Sequence, residues 1–331
     1  MKVFNLLLLL IATIISCGHG ESEFTYYGSM GPDHWSEHYN QCAGKHQSPI
    51  NINDVDVIGR GYEEIKYENF DKEPINATMT NNGHTVLVRL IYDDQAPLIS
   101  GGPLSGKGNY EFQQLHFHWG EDNTVGSEDR INNVSFPMEL HIVFRNIRYK
   151  DFAEASQRDD GIAVMAFFYE ISEEQNADHD YDTFTSNLEK IELPNSMAKV
   201  DSVTLFGLMP ENRQSYYTYI GSLTTPPCSE DVIWLDFISP ISIAGNLLER
   251  FRSLKTYDGT PLTHNFRPVQ PLNNRKVYKA MPHERVHQEG GASSIPIVDA
   301  WDNAASTSSQ SFVLCGILMT VVSILTFNWF K

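Results

Sequence analysis

Within Gln114-Leu115-His116-Phe117-His118-Trp119 two histidines stand two residues apart. On an extended strand side chains alternate, so Gln114, His116 and His118 share one face while Leu115, Phe117 and Trp119 share the other. Imidazoles at that spacing lie about 6–7 Å apart along the backbone, near enough to converge on one ion. A second run, Glu139-Leu140-His141, offers a carboxylate and an imidazole on one face. If the two runs are antiparallel neighbours, three histidine nitrogens surround a metal and leave a fourth position open. Catalytic zinc is held in this way, whereas structural zinc closes all four positions. Gln114 and Glu139 each stand two residues before a ligand, on the face where they can accept its other ring N–H and fix its tautomer. Taken alone, the histidines read equally well as ordinary hydrogen-bonded sheet residues.

Residues 110–119, 138–144, 162–168, 215–220 and 232–237 are short aromatic or β-branched runs bounded by turn residues, and they predict strands. Helical periodicity is weak and clearest over 181–191 and 247–254. No internal repeat is present. Residues 21–281 therefore form one mainly β domain with short peripheral helices, and about 260 residues suffice for a single large core.

The ends carry a different message. Lys2, an apolar run over 6–15 and small residues to Gly20 describe a secretory signal peptide over 1–20. Residues 282–302, rich in Gly, Ser, Pro and charge, read as a linker. Residues 312–330 are uncharged, and only Lys331 follows them, too little to hold a spanning helix on the cytoplasmic side. With Asn303-Ala304-Ala305 and the polar spacer 306–311 ahead of it, the segment 303–331 reads as a signal for a glycosylphosphatidylinositol anchor, attached at Asn303. The alternative is a single transmembrane tail. Cys17 and Cys315 would leave with the two ends, so Cys42 and Cys228 remain to form one disulfide in an oxidising compartment. Asn76 and Asn133 begin N-glycosylation sequons. A net charge of −18 argues against nucleic acid or anionic lipid as partners.

Several stretches together resemble the α-carbonic anhydrase family. They are Gly31-Pro32-Asp33-His34-Trp35, Gln47-Ser48-Pro49-Ile50-Asn51-Ile52, Asn82-Gly83-His84, the run 114–120, Ser127-Glu128, Glu139-Leu140-His141, Gly221-Ser222-Leu223-Thr224-Thr225-Pro226-Pro227 and Asn265-Phe266-Arg267-Pro268. The resemblance extends from about Tyr26 to Tyr278, in order and at similar spacing, and with the two ends it points to an extracellular, membrane-anchored branch. It implies an α+β roll around a large twisted, mostly antiparallel sheet, with zinc at the base of a conical cavity. The implied reaction is reversible hydration of carbon dioxide to bicarbonate and a proton.

Carried over by position, His116, His118 and His141 match the Zn2+ ligands. Thr224 matches the threonine that orients the attacking hydroxide, and Glu128 the glutamate that accepts a hydrogen bond from that threonine. Val143, Val164, Leu223, Val232 and Trp234 match an apolar wall for carbon dioxide; each also reads simply as a core residue. Tyr27, Asn82, His84 and Thr225 match a polar wall that orders water. His84 matches the proton shuttle, a role suited to an unperturbed pKa near 6.5. Cys42 and Cys228 match the disulfide of the extracellular branch. Leu87 departs from the pattern, standing where fast members carry a polar side chain.

Two rival functions deserve comparison. His283-Glu284-Arg285-Val286-His287 satisfies H-E-x-x-H, the zinc-protease helix motif. However, Pro282 precedes it, Gly290-Gly291 follows, and only the tail remains to supply a third ligand. The other rival is a cell-surface binding module, since some domains of this kind have lost their zinc ligands. Here the complete set argues for catalysis, with which an adhesive role is compatible.

Overall fold

The computed structural model describes residues 24–172, 179–201 and 203–281. The expected leader (1–20), the linker with His283 and His287 (282–302) and the tail with Asn303 and Cys315 (303–331) lie outside the described residues. Among the described residues no helix is long and apolar enough to cross a membrane.

The strands in chain order are β1 (Asn51–Ile52), β2 (Ile58–Gly61), β3 (Lys66–Glu68), β4 (Asn76–Asn81), β5 (Val86–Ile91), β6 (Leu98–Ser100) and β7 (Tyr110–Trp119). They continue with β8 (Arg130–Ile131), β9 (Met138–Asn146), β10 (Ile162–Ser172), β11 (Met197–Lys199), β12 (Tyr216–Ser222), β13 (Glu230–Ala244) and β14 (Tyr278–Met281). Twelve of these make one sheet whose main path runs β11-β4-β5-β7-β9-β10-β13-β12-β14-β2, with β3 and β6 joined through β7. The pairs β10–β13 and β14–β2 are parallel and the rest of the sheet is antiparallel. β1 and β8 form a separate parallel pair.

Sequence pattern explains position in the sheet. In β4 and β5 buried residues alternate with less buried ones, as in strands with one wet face. The first eight residues of β10, Ile162 to Tyr169, are all buried, as a central strand covered on both faces requires. Every expected strand forms, some extended by a few residues. The helical stretch expected over 181–191 is divided into an α-helix, His179–Thr185, and a 3-10 turn, Leu188–Ile191; the second helix is Gly245–Arg252.

These helices fix how β7 is presented. Phe117 packs on Phe184 and Phe251, with ring centroids 5.6 and 5.2 Å away, and Trp119 on Phe251 at 5.3 Å. Each fully buried aromatic of this kind contributes about 1.5–3 kcal/mol. With the odd residues of β7 anchored in that core, the period of two turns His116 and His118 to the opposite face.

Candidate metal centre

β7 and β9 are antiparallel neighbours, and His116 lies directly across from His141. The row continues to Ala166 on β10 and Asp236 on β13, and in the other direction to Leu87 on β5. One nitrogen from each of His116, His118 and His141 falls within 4.8 Å of the others.

The remaining ring nitrogens are already committed. His116 Nδ1 donates to Gln114 Oε1 at 2.9 Å, His118 Nδ1 to the Asn265 carbonyl at 2.7 Å, and His141 Nε2 to Glu139 Oε1 at 2.7 Å. That leaves His116 Nε2, His118 Nε2 and His141 Nδ1 as lone-pair donors, the last two 3.1 Å apart. Burial first, and then the neighbouring imidazoles, push His116 and His141 well below the usual histidine range. Neutral imidazole is the ligating form, so the donor set fits a divalent ion with nitrogen preference.

Outside the histidines lies a buried polar layer. Glu139 Oε2 accepts from the backbone N–H groups of Glu128 and Asp129 at 2.8 and 3.0 Å. Glu128 Oε1 accepts from the Arg267 backbone N–H at 2.7 Å, while Oε2 lies 3.4 Å from His118 Nε2 and has no hydrogen-bond partner of ordinary geometry. Arg267 donates from Nη1 to Gln47 Oε1 and the Ser48 carbonyl, both at 2.8 Å, and from Nη2 to the Cys42 carbonyl at 3.2 Å. Cys42 is bonded to Cys228, so the disulfide and the carboxylate layer share one arginine.

The next register row on the same face holds Val143, Val164 and Trp234 side by side, and His141 packs on Trp234 with centroids 4.9 Å apart. Val232 is buried on that face of β13, with Thr224 buried and Leu223 and Thr225 half-buried in the β12–β13 connection. Asn82 Oδ1 accepts from the backbone of His84 and Thr85 at 3.0 and 2.8 Å, which shapes the turn carrying His84. The His84 ring stacks on Phe24 at 4.2 Å, and burial lowers its pKa. Tyr27 is 50 % exposed at the rim, and its hydroxyl donates to Asp258 at 2.8 Å. Tyr26, passed over in the sequence, takes the inner position: it is buried, and burial followed by the Glu128 charge raises its pKa. His264 also escaped notice, yet it shares a recess of about 280 Å³ with His84. Asn133 is exposed in a turn, and Asn76 is half-buried at the start of β4.

The region 30–281 matches the model of the eukaryotic-type carbonic anhydrases. Carbonic anhydrase 7 of Mus musculus is 38% identical over 253 residues, which is 75% of this chain and 93% of the relative. Carbonic anhydrase 3 of Homo sapiens is 34% identical over 77% of this chain and 97% of its own length, and Homo sapiens carbonic anhydrase 6 is 31% identical over 84% and 90%. The chain belongs to the eukaryotic-type carbonic anhydrase family and is, with it, a zinc-dependent enzyme.

Asp236 is a residue that neither pattern nor resemblance singled out. It is fully buried, and neither carboxylate oxygen has a hydrogen-bond partner among the described residues. Burial first, then the Asp129 charge, hold its carboxyl protonated well above the usual carboxylate range. The folded state therefore binds this proton more tightly than the unfolded chain, whose carboxyl titrates near 4. Stability should fall as pH rises from there toward the raised pKa, by at most about 1.4 kcal/mol per pH unit for one group. Asp236→Asn cannot titrate, so its melting temperature should gain on the native protein's between pH 5 and 8. A constant difference across that range would show that Asp236 titrates alike in both states.

Proposed function

We propose that this chain catalyses the reversible hydration of carbon dioxide to bicarbonate and a proton at the outer face of a cell membrane. The observation that carries the chemistry is the convergence of three histidine nitrogens, each ring held by a separate acceptor, beside a buried apolar wall. Zinc held by His116, His118 and His141 would act as a Lewis acid, making hydroxide available from water near neutral pH.

The chain's own residues supply the rest. Val143, Val164, Leu223, Val232 and Trp234 hold a small apolar substrate against the metal side and keep water from that wall. Thr224 donates its hydroxyl hydrogen bond to Glu128, so its oxygen meets the nucleophile only as an acceptor and aims it. Two features support this: the open Glu128 Oε2, and a Thr224 contact that lowers the carboxyl's pKa against the larger effect of burial. Asn82, Tyr26 and Thr225 order water on the polar side, with Tyr27 at its rim. Zinc analysis together with carbon dioxide hydration on the purified protein tests the proposal. One zinc per chain with no hydration would sink it.

His84 carries the product proton to solvent. Its lowered pKa keeps it neutral, and so ready to accept, through the neutral range. His84→Ala should retain zinc and lose turnover chiefly in weak buffer, recovering when imidazole is added. A loss of equal size at every buffer concentration would give His84 another role, or place the bottleneck at Leu87.

Location follows from the ends and the disulfide. A leader at 1–20, a Cys42–Cys228 bridge, glycosylation at Asn76 and Asn133, and a lipid on Asn303 agree on an extracellular enzyme. Phosphatidylinositol-specific phospholipase C should release active enzyme lacking Cys315 from intact cells. Activity that stays on the membrane with peptides from 312–330 still detectable would establish a transmembrane tail instead.

A further inference from the structure

The metal row and the Val143-Val164-Trp234 row occupy one face of the sheet, and the period of two assigns Tyr216, Thr218, Ile233 and Leu235 to the other. On that back face lies a recess of about 580 Å³, against about 280 Å³ for the one beside His84, and within the usual span of ligand sites. Its walls come from the end of β2, the turn at 102–107, β12, β13 and β14.

Three cationic side chains line it: Arg60, Lys107 and Lys276, against the single carboxylate of Glu63. None of the three has an ion-pair partner among the described residues. Glu63 is turned to Ser105, whose hydroxyl donates to its Oε2 at 3.1 Å. In a chain with a net charge of −18, three unpaired cations around one recess leave a local positive field. The Arg60 guanidinium lies 5.2 Å from the ring centroids of both Tyr62 and Tyr278, which restricts its orientation and leaves its donor fork without an anionic partner. Gly102 forms part of the wall. Immediately behind it the Tyr216 hydroxyl is buried with no hydrogen-bond partner; a Cβ at position 102 would stand 2.8 Å from that oxygen.

We propose that this recess is a second binding site, for a small organic anion that carries sulfate or phosphate esters. A guanidinium fork pairs with a tetrahedral oxyanion through two N–H bonds, and lysines add point charges. The volume exceeds what an inorganic ion needs, since a water occupies about 30 Å³, so the esters sit on a scaffold of ring size. The site is separate from the metal centre because it opens on the opposite face of the sheet.

The test is calorimetric titration of the zinc-loaded full chain at low ionic strength with three probes: a sulfated disaccharide, fructose 1,6-bisphosphate and inorganic phosphate. At least one ester should bind at one per chain and at least tenfold tighter than inorganic phosphate, and which ester is tighter identifies the source. Arg60→Ala with Lys276→Ala should weaken that binding at least tenfold and leave carbon dioxide hydration within twofold. Glu63→Gln should tighten it a few-fold by removing the opposing charge. If the double variant melts early, Lys276→Glu, on an exposed side chain, must still show the loss. Binding of neither ester, or binding indifferent to these four charge changes, overturns the proposal.

Discussion

His118→Ala should yield a protein without zinc and without carbon dioxide hydration. His118 is fully buried, and its two ring nitrogens serve two neighbours: Nδ1 holds the Asn265 carbonyl and Nε2 points toward His141 Nδ1. Truncation leaves two nitrogens where the open tetrahedral site needs three, and it leaves a buried carbonyl without its donor. His116→Ala and His141→Ala should behave alike, while His283→Ala and His287→Ala should change neither zinc content nor rate. A general collapse of the fold would also remove activity, so His118→Asp provides a control. A carboxylate can ligate zinc, and this variant should recover part of the metal that alanine loses. Metal analysis, melting and hydration on the same samples separate the cases. Full hydration by a zinc-free His118→Ala protein would refute the mechanism.

Breaking the Cys42–Cys228 bridge should cost about 2–5 kcal/mol of folding stability. The cysteines are 186 residues apart, and closing so long a loop removes much conformational freedom from the unfolded chain, which favours the upper part of that range. Domains are stable by only about 5–15 kcal/mol in total, so the effect is large. Position adds a second consequence. Cys228 closes the connection that carries Thr224, and Arg267 ties the Cys42 carbonyl to Gln47 and, through its backbone, to Glu128. Cys42→Ser should therefore lower the denaturation midpoint and also slow turnover with zinc retained. An unchanged midpoint, or non-reduced peptide maps with both thiols free in the purified protein, would contradict this.

Legibility in the sequence followed distance along the chain. The ligands and two of their supports were readable because they are local: alternation on a strand places Gln114, His116 and His118 on one face, and Glu139 with His141 on another. The third support, the Asn265 carbonyl, was not, because every residue has a carbonyl and this one lies 147 residues from His118. Tyr26 and Tyr27 show the limit at the scale of a single residue. Two adjacent tyrosines of one type end in opposite environments, Tyr26 buried and Tyr27 exposed, and nothing in residue type separates them.

By itself, then, the sequence determined the zinc ligands, the β-rich class and the disulfide pair, the first two written as residue type at short period and the last as the two cysteines outside the expected leader and tail. The tertiary structure alone decided which carbonyl orients His118, which tyrosine turns inward, and that Asp236 lies buried without a partner in the row that begins at the metal. It also decided that Arg60, Lys107 and Lys276 meet around one recess. These outcomes depend on sheet register between strands far apart in the chain, and register is set by how the whole core packs rather than by any short stretch of residues.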